Sequence, residues 1–116
     1  RLDGALAVAA KVPVEVDRAD AVEWVTEQLA EPRPGAATVV THSIVLQYLD
    51  PPARQRFVTA VEEAGGRATL GAPLAWLRME PGGDLASLRC TVWPTGEDRL
   101  LARSGYHGAP VTVLDD

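Results

Sequence analysis

Apolar residues Leu2, Ala5, Leu6 and Ala9 keep helical spacing, so residues 1–10 predict a helix that stops before Pro13. Val12, Val14 and Val16 then alternate with other residue types, which predicts a short strand over 12–16 closed by Asp17. Asp20-Ala21-Val22-Glu23 has the spacing of a capping box and opens a helix over 21–30 that buries Val22, Val25 and Leu29. The two prolines and Gly35 in Glu31-Pro32-Arg33-Pro34-Gly35 cannot extend that helix and make a tight connection. Thr38-Val39-Val40-Thr41 is a β-branched run and predicts a buried strand. Asp50 is the N-cap of the next helix, whose first turn tolerates Pro51 and Pro52. Phe57, Val58 and Val61 give that helix one apolar face, and Gly65-Gly66 is its predicted terminator. Residues 74–80, 88–93 and 100–103 predict three more strands. Pro81-Gly82-Gly83 ends the first, and Pro94-Thr95-Gly96-Glu97 is short enough to force the other two into a hairpin.

Alternation of strand and helix as far as residue 80 implies right-handed crossovers. The fold class expected is therefore α/β, a mostly parallel Rossmann-like sheet with flanking helices and an antiparallel hairpin at one edge. A connection of about six residues after Glu80 cannot hold a crossover helix. The strand at Leu88 is thus expected to run antiparallel to its predecessor or to reach further along the sheet edge. At 116 residues the chain makes one domain, 1–116. Helical spacing from its first residues suggests the carboxy-terminal part of a longer protein.

A formal net charge of −5 with no clustering of Lys or Arg argues against nucleic acid as a partner. Cys90 is the only cysteine, which excludes an internal disulfide and a thiolate metal cluster. No apolar run is long enough to span a bilayer and no signal peptide is visible, so the expected location is cytoplasmic, away from membranes.

Candidate chemistry concentrates where the residue 38–41 strand ends, because open α/β sheets bind ligands at the carboxyl ends of strands. There Thr41-His42-Ser43 offers three hydrogen-bonding side chains, and the same triplet also reads as a cap on the next helix. His42 is the natural proton carrier at neutral pH, with a hydrogen-bonded structural role as its alternative. Glu80 closes the residue 74–80 strand and sits beside His42 if the two strands are neighbours. Tyr106 and His107, between Gly105 and Gly108, join them only if the final strand runs the same way as the 74–80 strand. His42, Glu80 and His107 are accordingly the catalytic candidates. Ser43 lacks the glycines a nucleophile elbow needs, and no pair of His has metal-ligand spacing. Trp24, Trp76 and Trp93 read most simply as core or sheet-face residues, and Cys90 as a small buried hydrophobe.

Asp20-Ala21 after one strand, Thr41-His42-Ser43 after the next and the Trp93/Gly96 hairpin together resemble the carboxy-terminal half of a class I S-adenosylmethionine-dependent methyltransferase. The segments Thr41-His42-Ser43-Ile44-Val45-Leu46-Gln47-Tyr48-Leu49, Ala72 to Pro81 and Arg99 to Gly108 resemble an uncharacterised bacterial family, domain of unknown function 2332. The methyltransferase resemblance implies S-adenosylmethionine as cofactor of the longer protein. It implies a cofactor edge at Asp20, Thr41 and Ser43, with Asp20 near the adenine amino group. Two features depart from that pattern: no Gly-rich turn follows a first strand, and the helix between the fifth and sixth strands is missing. The function expected is a domain completing a Rossmann-like, cofactor-binding protein. The competing reading is a non-catalytic interaction or oligomerisation module, in which an exposed sheet edge pairs with another chain. A Gly-rich turn in the upstream gene sequence would favour the former.

Overall fold

The computed structural model describes residues 1–114. Helix α1 (Leu2–Lys11) leads into a segment without regular structure, and α2 (Ala21–Gln28) is followed by β1 (Thr38–Ser43), a 3-10 turn at Leu46–Tyr48 and α3 (Pro51–Arg67). Strands β2 (Leu74–Pro81), β3 (Ala86–Trp93), β4 (Glu97–Ser104) and β5 (Val111–Val113) complete the described chain. They form one five-stranded sheet in the order β1-β2-β3-β4-β5.

The mostly parallel Rossmann-like expectation is corrected here. Among the described residues only β1 and β2 are parallel, with Thr38 beside Leu74 and Ser43 beside Met79, while the β2-β3, β3-β4 and β4-β5 pairs are antiparallel. The reason is connection length. One crossover helix, α3, separates paired strands, and every later link is too short to return the chain to its starting side. The tight link after Glu80 indeed turns the chain back as an antiparallel neighbour.

Local signals explain the helices. Asp20 accepts from the backbone N–H groups of Val22 and Glu23, and Asp50 accepts from that of Ala53 ahead of its two prolines. Helix α3 does not stop at Gly65-Gly66 but runs to Arg67. Gly65 has a packing role: a Cβ there would lie 2.3 Å from Cε2 of Trp93. Absence of a side chain lets α3 approach the sheet.

Val22 and Val25 of α2 with its C-cap Leu29, Phe57, Val61 and Ala64 of α3, and Leu74 and Trp76 of β2 form the core, with both helices on one face of the sheet. Cys90 is partly buried in β3. Residues 12–16, expected as a strand, belong to no strand, with Val12, Val14 and Val16 exposed by 59%, 79% and 91%. Alternation marks a segment suited to lie half-buried in a sheet, but it does not supply the neighbour. Helix α1 likewise contributes no buried residue. Strand β5 carried no strong sequence signal, being three residues long.

Candidate functional site

Alternation along β1 puts Thr38, Val40 and His42 on the helix-covered face and Val39, Thr41 and Ser43 on the exposed one. Parallel pairing with β2 then carries Glu80 and Trp76 to the same face as His42. His42 Nδ1 lies 2.7 Å from Glu80 Oε1, and the Trp76 indole N–H donates to His42 Nε2 across 2.9 Å. An indole N–H can only donate, so Nε2 presents its lone pair and the ring proton sits on Nδ1, donated to the Glu80 carboxylate. The His42 side chain is 8% exposed and meets Phe57 edge-on at 5.5 Å between ring centroids. Both ring nitrogens are thus engaged inside the protein.

Glu80 Oε1 also accepts from the backbone N–H groups of Val45 (3.1 Å) and Leu46 (3.3 Å). Those groups begin the turn after Ile44, which has a positive φ of 50°. The carboxylate therefore fastens the end of β2 to the chain leaving β1, and His42 and Trp76 complete one connected chain of hydrogen bonds.

The other sequence candidates lie elsewhere. Asp20 caps α2, while Thr41 and Ser43 are exposed on the opposite face of β1 from His42. The consecutive meander makes β4 run with β2, which brings the 105–108 turn to the same end of the sheet as Glu80. Tyr106 donates its hydroxyl to the Gly83 carbonyl there. His107 is exposed, and among the described residues no hydrogen bond or ring contact joins it to His42 or Glu80.

A second polar cluster escaped the sequence reading. Arg78 reaches Thr91 Oγ1 and Asp98 Oδ1, both at 3.0 Å, while Arg89 grips Asp98 Oδ2 at 2.6 and 3.1 Å. Thr91 donates to Asp98 Oδ1 at 2.7 Å, and the Arg78 guanidinium lies 4.1 Å from the Trp76 ring centroid. Burial raises the Asp98 pKa, but hydrogen bonds from Arg89, Thr91 and Arg78 outweigh it and bring the group down to about 2. The available signal was charged residues at inward positions of adjacent strands, visible only once the register is known.

The remaining feature is the outer edge of β1. Thr38 and Ile44 send their N–H groups toward β2, so Val39, Thr41 and Ser43 aim theirs, with their C=O groups, outward, where no strand of the described residues lies. Beside that edge a groove of about 310 Å³ is lined by Trp24, Gln28, Leu29 and Arg33 as well as Val39 and Thr41. The strand sequence Thr-Val-Val-Thr-His-Ser has no Pro, Lys, Asp or Glu to repel a newcomer, and Val39 is 56% exposed. At the other edge, β5 is blunted by its length of three residues.

Among the described residues no helix is long and apolar enough to cross a membrane, and no group of three or more His, Cys, Asp or Glu is placed to hold a metal ion. Neither curated proteins nor solved structures gave a match. A family model described as an uncharacterized protein conserved in bacteria matches residues 1–113, nearly the whole chain with its polar cluster and open sheet edge, and the chain accordingly belongs to that family, DUF2332.

Proposed function

We propose that this domain is a non-catalytic interaction module whose β1 edge accepts an extended polypeptide strand. The observation that carries the reading is the outward, unpaired backbone of Val39, Thr41 and Ser43 on a strand with no protective device. Strand addition supplies main-chain hydrogen bonds for affinity, and the groove against α2 accommodates alternate side chains of the incoming segment. Two placements favour this reading: Asp20, the residue expected beside a cofactor's adenine, is committed to capping α2, and His42, a catalytic candidate, has both nitrogens committed inside the protein.

Hydrogen exchange tests the reading. Measured across a concentration series, the amides of Val39, Thr41 and Ser43 slow as the edge fills. Exchange at every concentration as fast as in the exposed 69–71 turn would contradict it.

A further inference from the structure

The molecule carries an empty strand position and, separately, a strand-like segment with nothing to pair with. Residues 12–16 belong to no helix or strand, carry valine at alternate positions 12, 14 and 16, and bury none of them. The whole stretch 1–19 is exposed, so α1 and this segment form an arm without a core contact of their own. Resting on the interaction reading above, we propose that the occupant of the β1 edge is the 12–16 arm of a second copy of this chain, exchanged reciprocally in a two-fold dimer.

The two surfaces suit each other. Val39 and Leu77 put apolar side chains on the exposed side of the sheet beside the free edge, and the arm offers exposed valines at alternate positions 12, 14 and 16. Each pairing satisfies outward N–H and C=O groups of Val39, Thr41 and Ser43 with those of the arm, Pro13 excepted as a donor. A two-fold exchange uses both elements twice and leaves neither edge nor arm over, which closes the assembly at two copies rather than a filament. Residues 12–16 form no ladder with their own β1, and Asp17 just after them is held by the Trp24 indole N–H on α2, so a second copy is proposed as the source.

The test uses the 116-residue chain with Cys90→Ala and two added cysteines, Val14→Cys with Val39→Cys, or Val14→Cys with Thr41→Cys to cover a neighbouring register. These added positions are exposed, so the variants fold, as circular dichroism verifies. Mild oxidation is expected to give a disulfide-linked dimer on non-reducing gels, with Val14→Asp abolishing the dimer in sedimentation. An intrachain disulfide in a monomer would overturn the second copy as source while leaving strand addition standing. No disulfide with slow β1 amides would overturn the arm as occupant. No disulfide with fast β1 amides would defeat both the arm and the interaction reading.

Discussion

Gly65 and Gly66 are neighbours in α3, yet alanine at the two positions is expected to act with opposite sign. In a helix interior, Gly→Ala alone stabilises by about 0.5–1 kcal/mol, because the chain loses less freedom on folding. Gly66 has nothing within 4 Å of a new Cβ, so Gly66→Ala should realise most of that gain. At Gly65 the new carbon would stand 2.3, 2.4 and 2.7 Å from Cε2, Cδ2 and Nε1 of Trp93. Those atoms belong to a rigid ring packed against the core, not to the end of a flexible side chain. Overpacking of this kind costs about 1–3 kcal/mol. Net destabilisation of about 1–2 kcal/mol is therefore expected for Gly65→Ala. The two variants should differ by roughly 2 kcal/mol, or about 8 °C in Tm for a domain of this size. Thermal melts followed by circular dichroism read the difference. Equal stabilisation by both variants would refute the close approach of α3 to Trp93.

His42 should be the Nδ1–H tautomer, so nitrogen NMR is expected to show an unprotonated Nε2, and a protonated Nε2 would contradict the Trp76 bond. Trp76→Phe removes that donor, leaves the buried Nε2 without a partner and takes volume from the core, and should cost about 2–3 kcal/mol in urea denaturation; no loss would show that neither the bond nor the ring's packing counts there. Glu80→Ala strips the acceptor from His42, Val45 and Leu46 together and should cost about 2–3 kcal/mol, with faster exchange of the Leu46 amide. Asp98 has its folded-state pKa lowered from 3.8 to about 2, so its stabilisation is present above pH 4 and is lost as pH falls toward 2. Asp98→Asn should flatten that acid-side decline, and an unchanged profile would remove Asp98 as its source.

Period and punctuation made most elements legible. Asp20 and Asp50 announced α2 and α3, and the core valines of α2 with Phe57 and Val61 followed from helical spacing. The neighbours His42 and Glu80 were inferable because each ends a strand on either side of a crossover. What sequence could not carry was pairing. Val12, Val14 and Val16 have a strand's alternation, but a strand exists only against a partner, and among the described residues none pairs with them. The same limit hid the cluster of Arg78, Arg89 and Asp98, which sit on three consecutive strands and meet only through antiparallel register. Glycine was ambiguous as well: Gly65 looked like a terminator, whereas its value lies in what it leaves unfilled against Trp93.

Sedimentation equilibrium of the chain beside its Thr41→Pro variant tests the open edge most directly. The Thr41 N–H points away from β2, so proline there removes an outward donor and spares the β1-β2 ladder. The account predicts a concentration-dependent dimer for the native chain and a folded monomer for Thr41→Pro. Identical molecular-mass distributions for the two would contradict it.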